Sequence, residues 1–411
     1  MAKDCPQHGQ FRVLLSDCPA YYQRLDEFYF SLMTQSFPQR DYIVYLTNRC
    51  NLSCPICLAN SNMRGIRDLS PEALKAFLNG KRNLKIDLMG AEPTMREDLA
   101  EIVRIIRKSG NAAALHTNGI KIAEPSYLKR LRDSGLDEVH LQFDGFTDRI
   151  YQEIRGEKLL EIKLKALENL GRLNIPTDLK VTVVRGINDN QMAKIIDFGT
   201  RCAFVKEIFF LGCRYLGRAR GLPMERCLMP DELIGLLEAQ TCGKISRENV
   251  FMFQRLYFSL LAAFSIRKCF YNQHFLIMRD RDGYATADEI FDLPAIQGSL
   301  DRFREMIRVN KRTALAYLIF SLSAKFINPK RLSSLKDILP AALSFMRGFR
   351  LSQLSKRSIL LGFITACDSH SFDYAVAQNC GKGAVSPDLG IQDIGAMDNV
   401  LRDGPAAFAK G

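Results

Sequence analysis

The chain has 411 residues and a formal net charge of +12, and 47% of its residues are hydrophobic. That hydrophobic share is ample for a sizeable core, and no low-complexity tract is present, which excludes a disordered or fibrous protein. The opening residues, Met1 to Cys5, are polar, so we read no secretory signal there. Twelve cysteines without such a signal favour a reducing, cytoplasmic setting and metal ligation over disulfides.

The positive charge is concentrated between residues 301 and 357, where 13 Lys or Arg stand against 3 Asp or Glu. Such a field attracts phosphate, carboxylate or an anionic membrane surface, and the plain alternative is solvated helix faces. The apolar helices predicted at 251–264 and 314–323 fall short of the roughly 18–20 apolar residues that span a bilayer. Peripheral membrane contact is therefore the only membrane association that we predict.

Residues 1–40 form a predicted N-terminal segment, and residues 41–230 alternate strand and helix signals. Ser70 opens a helix that ends near Asn79. Thr94 and Glu97 form a capping box for a second helix, and Gly135 ends a third. The alternation predicts an α/β fold, a partial (β/α)6 barrel whose chemistry collects at the C-terminal ends of parallel strands. Apolar runs place these strands at 42–46, 84–89, 112–116, 138–143, 181–184 and 207–211.

After residue 230 the pattern changes to helices, so we predict a mainly helical C-terminal extension at 231–380. Within it, residues 271–285 have the pattern of a short hairpin that turns at Asp282 and Gly283. Residues 381–411 are rich in Gly, Ala, Pro and Asp, and we predict a loop-like tail there.

Three cysteines, Cys50, Cys54 and Cys57, follow the first predicted strand with the spacing C-x3-C-x2-C. One tight loop with this spacing offers three thiolates to one face of a [4Fe–4S] cluster, which normally takes four. The fourth iron is then open to an exchangeable ligand. The alternative is a zinc knuckle or buried thiols, but zinc takes four ligands and no fourth Cys or His lies nearby.

This loop resembles that of the radical SAM superfamily, and further segments narrow the resemblance. They are similar to the branch that contains the archaeal tetraether lipid synthases and a methanogen pterin methyltransferase. The resemblance implies that an external electron donor of the flavodoxin or ferredoxin type reduces the cluster. S-adenosylmethionine (SAM) is then cleaved to a 5′-deoxyadenosyl radical, which removes a hydrogen atom from the substrate. The segments that carry the resemblance are TNRCNLSCPICLAN, LQFDGF, IRG, LLEIKLKALEN and VVRGINDNQ.

Candidate SAM contacts stand at the ends of successive predicted strands. The turn that begins at Gly90 resembles the Gly-Gly-Glu-Pro turn of the superfamily, which implies that it binds the methionine ammonium. The alternative for each polar candidate is that it only caps a helix or a turn. The candidates are Gly90, Ala91 and Glu92 for the ammonium, Gln142 and Asp144 for the ribose, Thr117 and Asn118 for the neighbouring wall, Arg185 for the methionine carboxylate, and Ile56 near the adenine.

A second iron–sulfur cluster is a hypothesis that rests on cysteines outside the loop. Cys269 and Cys380 occupy positions that resemble those of cysteines in the same branch, and Cys367 lies close to Cys380 in sequence. Cys5 belongs to a Cys-Pro-Gln-His-Gly element that resembles half of a metal site in that branch. These four residues are the candidate ligands of the auxiliary site.

Several functions fit these features. The leading hypothesis is C–C bond formation or methylation on a lipid-like or other apolar substrate, which the branch and the apolar helices after residue 250 favour. The second is modification of a small heterocycle or natural-product intermediate. A hypothesis of a different class is a non-catalytic iron–sulfur sensor or interaction protein. Peptide maturation is disfavoured because closely patterned C-terminal cysteines are missing, and nucleic-acid modification because no binding module is recognisable.

Overall fold

The structure is a computed structural model, and it describes residues 2–6, 9–33, 37–63, 65–281, 283–325, 355–368, 371–386 and 390–393. Its strands are β1 (Ala2–Cys5), β2 (Gly9–Arg12), β3 (Asp41–Tyr45), β4 (Lys85–Met89), β5 (Ala112–Thr117), β6 (Glu138–Gln142), β7 (Thr177–Val183), β8 (Val205–Gly212), β9 (Gln273–Asp280), β10 (Gly283–Thr286), β11 (Ser358–Thr365), β12 (Lys382–Ser386) and β13 (Gly390–Asp393).

Helices connect and cover these strands, and short 3-10 turns lie between several of them. The helices are α1 (Pro19–Leu32), α2 (Pro71–Leu78), α3 (Leu99–Lys108), α4 (Pro125–Asp133), α5 (Asp148–Arg155), α6 (Leu160–Arg172), α7 (Met192–Thr200), α8 (Pro230–Gln240), α9 (Arg247–Ala263), α10 (Ala287–Ile290), α11 (Leu293–Val309), α12 (Lys311–Lys325) and α13 (Tyr374–Gln378).

Strands β3 to β8 lie side by side in chain order, and each pairs in parallel with the next. This arrangement confirms the predicted α/β class with a parallel sheet and helical crossovers. The sheet then continues at both edges. Strand β12 pairs in parallel with β3, and β11 pairs in parallel with β8.

The predicted C-terminal extension is mainly helical, from α8 to α12, and it also supplies strands to the same sheet. The predicted hairpin is confirmed as β9 and β10, which pair antiparallel, although Asp282 lies outside the described residues. The loop-like tail predicted from residue 381 is wrong for 382–386 and 390–393, which form β12 and β13. Composition misled the prediction there, because β12 is stabilised by hydrogen bonds to the distant β3.

Two local predictions differ from the structure. Helix α3 begins after Asp98, so the predicted capping box is wrong. The Thr94 hydroxyl instead donates to the Glu92 carboxylate (2.6 Å). Strand β7 begins at Thr177, four residues before the predicted start. The search for apolar runs missed the first half of the strand because polar and apolar residues alternate there. By contrast, α2 begins after its Ser70 cap, whose hydroxyl accepts from the Ala73 N–H (3.1 Å), as predicted.

The two faces of the parallel sheet differ in polarity. Alternate residues such as Ile86, Leu88, Val139 and Leu141 are buried and join the apolar core. The residues between them on β4, β6 and β7 are mostly charged or polar: Lys85, Asp87, Glu138, His140, Gln142, Asp178, Lys180 and Thr182. We call the side of the sheet that these eight residues share the polar face.

No helix among the described residues combines the length and the apolar character needed to cross a bilayer.

Candidate active site

The three cysteines lie in the loop that follows β3, and backbone groups hold two of their sulfurs. The Leu52 N–H points at Cys50 Sγ (3.3 Å), and the Ser61 N–H points at Cys57 Sγ (3.4 Å). Cys54 is buried, and the other two are half-buried. Donors aimed at sulfur stabilise thiolates, so this loop fits the three-cysteine ligation of a [4Fe–4S] cluster.

Burial acts against ionisation of the Cys50 and Cys54 thiols. It raises the pKa of Cys50 to about 12 and also raises the pKa of Cys54. For Cys54 the nearby Arg155 guanidinium opposes this effect. Because metal binding needs the deprotonated thiolates, loading the loop must release protons.

Arg218 fixes the far side of the cysteine loop. Its backbone N–H donates to the Cys57 carbonyl (3.0 Å), and its guanidinium donates to the carbonyls of Cys54 (3.4 Å) and Ser61. This role could not be predicted from local sequence, because Arg218 lies more than 150 positions from the loop that it holds.

The predicted turn at Gly90 closes directly on the cysteine loop. The Ala91 N–H donates to the Thr47 carbonyl (2.9 Å), and the Glu92 N–H donates to the Arg49 carbonyl (3.1 Å). Gly90 has φ = +136°, and a Cβ there would overlap the Thr47 carbonyl oxygen. The turn therefore requires glycine at this position, whereas Ala91 has an ordinary backbone.

We expect Gly90→Ala to displace the cysteine loop, because both the positive φ and the overlap with backbone must be relieved. The free energy of unfolding should fall by about 1–3 kcal/mol, the range for such backbone strain. Urea unfolding measures the loss, and iron content after reconstitution measures the effect on the loop. Gly221→Ala is the control, since a Cβ there meets nothing within 4 Å. Equal stability of the two variants would contradict this expectation.

The Glu92 carboxylate is used entirely within the protein. It is 1% exposed, and it accepts from the Thr94 N–H (3.1 Å) and hydroxyl (2.6 Å), the Thr117 hydroxyl (2.8 Å) and the Asn118 N–H (2.7 Å). Glu92 and Thr117 thus tie the turn to the end of β5. The backbone carbonyls of the turn are therefore better candidates for binding the methionine ammonium than the Glu92 carboxylate is.

Asn118 and Gln142 remain half-buried beside the loop and are joined through Lys163. The Asn118 amide donates to Asn51 Oδ1 (2.7 Å), next to Cys50. Lys163 is fully buried, and its Nζ donates to Gln142 Oε1 (2.6 Å) and to the Asn118 carbonyl. A lysine on the apolar stripe of α6 was a signal of such a buried role that the sequence analysis missed.

Lys163 should make stability depend on pH. Burial lowers its pKa from 10.5 to about 7, so between these values the unfolded chain binds more protons and stability rises with pH. We expect the free energy of unfolding of the wild type, measured relative to Lys163→Met, to rise by up to about 5 kcal/mol from pH 7 to above pH 10. Anaerobic urea unfolding at several pH values tests this. Lys165→Met, an exposed change on the same helix, should track the wild type.

Asp144 is buried in an ion pair that uses its whole carboxylate. Arg155 donates to both oxygens (2.8 and 3.0 Å), and the Thr182 N–H donates to one of them (3.0 Å). The Gln142 side-chain amide also donates to the Asp144 carboxylate, at Oδ2. The predicted ribose contact at Asp144 therefore does not fit the structure, because no acceptor site is left. Gln142 is then the remaining candidate for the predicted contact with the ribose.

Arg185 and Ile56 also face protein. The Arg185 guanidinium pairs with Glu232 of α8 and donates to the Glu225 carbonyl (3.0 Å), so two of its three nitrogens are already engaged within the protein. The Ile56 side chain is buried in a small apolar cluster with Ile154 and Val184. Only the backbone of Ile56 is left for the predicted adenine contact.

Of the predicted auxiliary cysteines, Cys269 lies near both Cys367 and Cys380. Burial raises the pKa of Cys269 well above its usual value, and the thiols of Cys380 and Cys367 add to the effect. Cys380 is buried, and its thiol donates to the Lys382 carbonyl (3.6 Å). The fourth candidate, Cys5, lies in β1, and the Gln7 and His8 positions of its element fall outside the described residues.

The segment that contains most of the parallel strands matches a known protein family. Residues 44–199 match the family model of the radical SAM superfamily. The chain is 33% identical over 280 residues to 7,8-dihydro-6-hydroxymethylpterin dimethyltransferase of Methanocaldococcus jannaschii, covering 61% of this chain and 55% of that protein. It is 32% identical over 164 residues to a probable GTP 3′,8-cyclase of Pyrococcus abyssi, covering 39% of this chain and 53% of that protein.

Among solved structures, Streptococcus suis SuiB bound to S-adenosylmethionine matches with a TM-score of 0.41 and 16% identity, covering 50% of this chain and 47% of SuiB. The chain spans about half the length of the two curated relatives described above. The cysteine loop, the glycine turn and the matched segment coincide in one part of the fold. Residues 44–199 therefore form a segment that matches the radical SAM superfamily, and this segment contains both the cysteine loop and the glycine turn.

Proposed function

We propose that this chain uses SAM radical chemistry to modify a polar, nitrogen-containing ring. The observation that carries the proposal is the polar face, because it begins directly below the strand ends that hold the cysteine loop. When bound, the [4Fe–4S] cluster and SAM supply the hydrogen-abstracting radical. The chain itself must bind the substrate, orient it and exclude water.

The polar face suits a substrate that forms hydrogen bonds. His140 Nδ1 bonds to Asp178 Oδ2 (2.7 Å), and Lys180 pairs with the same oxygen (2.6 Å). Burial raises the pKa of Asp178, but the Lys180 ammonium and then His140 outweigh burial and leave that pKa below its usual range. His116 and Lys180 are half-buried, so part of the face can be reached. An apolar chain laid over these groups would remove their water without replacing its hydrogen bonds, which costs several kcal/mol.

The apolar helices give less support to a lipid-like substrate than their composition suggested. Phe251, Phe253 and Phe258 of α9 are buried in the core. There α9 lies against α1, α11 and β9, so these side chains are structural. The relatives whose names mention a pterin and GTP agree with the heterocycle hypothesis. We accordingly prefer the second of the two substrate hypotheses.

The proposed SAM site comprises groups that the protein leaves accessible. Cys50, Cys54 and Cys57 would hold the cluster. The carbonyls of the Gly90 turn and the side chains of Asn118 and Gln142 would contact SAM. Glu92, Asp144 and Lys163 would position these groups through their buried hydrogen bonds and ion pair.

Three further parts of the proposal concern an electron donor, a second cluster and contact with a membrane. An external one-electron donor of the flavodoxin or ferredoxin type would reduce the cluster. Cys269, Cys367 and Cys380 would contribute to a second iron–sulfur cluster, which their proximity supports. Ile319 and Phe320 of α12 are 60% and 71% exposed, and the same helix begins with the basic residues Lys311 and Arg312, which supports peripheral contact with an anionic membrane.

The test compares substrates under anaerobic conditions. The reconstituted protein, a strong reductant and SAM are incubated with a reduced pterin, with GTP, or with isoprenoid phospholipid, and 5′-deoxyadenosine is measured. We expect the heterocycles to stimulate its formation above the substrate-free rate. Lys180→Met should lose the stimulation and keep the substrate-free rate, while Lys194→Met, an exposed lysine of α7, should keep both. Stimulation by lipid alone would contradict the proposal.

A further inference from the structure

Three side chains with metal-binding groups meet on the side of the sheet that carries the polar face. Asp87, His116 and His140 come from the adjacent strands β4, β5 and β6, and their ligand atoms lie within 4.8 Å of one another. In the sheet, His116 lies opposite His140, and Asp87 lies opposite Ala114. Because Ala114 is small, Asp87 and His140 reach each other across β5.

The distances are close to those of a single coordination sphere. Asp87 Oδ1 lies 3.6 Å from His116 Nε2 and 3.7 Å from His140 Nε2. Two ligands that each stand about 2.1 Å from one ion are separated by about 3.0–3.4 Å in octahedral or tetrahedral geometry. The two imidazole rings are stacked with centroids 4.2 Å apart and planes 9° apart. They must tilt toward each other to close on one ion.

A second observation points to a ligand at this position. Asp87 is 0% exposed, yet its Oδ1 has no hydrogen-bond partner among the described residues, and neither does His116 Nε2. The other Asp87 oxygen pairs with Lys382, and Lys85 Nζ stands 3.9 Å from Oδ1, too far for a hydrogen bond. Buried polar atoms normally have partners, so these two atoms call for one.

The surroundings of His140 set its orientation as they would for a metal ligand. Its Nδ1 lies 2.7 Å from Asp178 Oδ2, and in the tautomer in which the Nδ1–H donates to this carboxylate, Nε2 carries a lone pair for a metal. That lone pair faces Glu138 Oε1 at 3.3 Å and Asp87 Oδ1 at 3.7 Å, and both of these atoms are acceptors. A cation among the three acceptors would turn their repulsion into attraction.

We propose that Asp87, His116 and His140 bind one divalent transition-metal ion, such as Zn²⁺ or Fe²⁺. Two imidazoles and one carboxylate are the donor set that such ions take, and three protein ligands leave a coordination position open. His116 is the most exposed of the three, with 18% of its side chain accessible, so a molecule that binds at the open position would approach past His116. A heteroatom of a bound molecule would coordinate there. This site is distinct from both cysteine sites and does not depend on SAM cleavage.

The test measures zinc in the reconstituted protein, whose cysteines are occupied by iron and sulfide. After equilibrium dialysis against Zn²⁺, wild-type protein should hold one more zinc ion per chain than His116→Asn or His140→Gln. His274→Gln is the matched control, because His274 is also buried but pairs with Glu207 (3.5 Å) away from the three ligands. It should keep the zinc. Iron content must be equal in all four proteins.

The zinc K-edge absorption spectrum identifies the donor atoms. We expect only nitrogen and oxygen at about 2.0–2.2 Å, whereas binding to cysteine would add sulfur at about 2.3 Å. Equal zinc in the wild type and both variants, or sulfur around the bound zinc, would overturn the proposal. If His140→Gln fails to fold, which circular dichroism would show, the half-buried His116→Asn decides alone.

Discussion

Replacing Cys54 by alanine is expected to reduce the formation of 5′-deoxyadenosine to the level of the protein-free control. Cys54 is buried between the other two cysteines of the loop, and two thiolates do not replace three on one cluster. The measurement is anaerobic: iron and sulfide reconstitution, SAM, a strong reductant and quantification of 5′-deoxyadenosine by mass spectrometry. Iron bound per chain should fall in parallel.

The matched control for this experiment is Cys242→Ala. Cys242 is exposed in the turn after α8, far along the chain from the cysteine loop. Its replacement should change neither iron content nor product. If Cys54→Ala kept its product, the assignment of the cluster to this loop would be refuted. A loaded wild-type cluster with no product would instead leave strict substrate dependence or a non-catalytic iron–sulfur protein.

Replacing Arg155 by methionine is expected to lower the free energy of unfolding by about 3–5 kcal/mol, the usual cost of breaking a buried ion pair. Asp144 is 0% exposed and the Arg155 side chain is 11% exposed, so the variant leaves a carboxylate buried without its partner. The Thr182 hydroxyl also loses its guanidinium donor (3.0 Å). Because Arg155 opposes the rise in the pKa of Cys54, cluster loading should weaken as well.

Urea unfolding followed by circular dichroism measures this loss. Arg149→Met provides the control, because Arg149 lies on the same helix and pairs with Glu153 at the surface (2.7 Å). Its midpoint should not move. The double variant Asp144→Leu/Arg155→Met should be more stable than Arg155→Met alone, since it removes both charges. A double variant less stable than the single one would count against an ion-pair origin.

Local sequence predicted the elements that depend on neighbouring residues. The spacing of Cys50, Cys54 and Cys57 places three sulfurs on one loop, and the loop is found directly after β3. The Ser70 cap predicted the start of α2. The conformational need for glycine at Gly90 follows from a turn that meets the Thr47 backbone. Each of these features is decided within a few residues or one strand pairing.

The polar face could have been predicted in part. In β4, β6 and β7 polar and apolar residues alternate, whereas strands buried on both faces of a parallel sheet read as continuous apolar runs. That pattern showed that one face is polar. It could not show that Asp87 and His140 meet across Ala114, because their approach depends on the register of three strands.

The tertiary structure alone decided which polar groups are available. Asp144, Glu92 and Arg185 were all reasonable SAM contacts, yet Arg155, Thr117 and Glu232 occupy their charged groups. Strand β12 joins β3 from a point more than 300 residues later, so its composition did not reveal it. The sequence by itself determined the cysteine loop and the strand–helix order, because these rest on local spacing and periodicity. Partners of buried charges depend on long-range register, which only the folded chain defines.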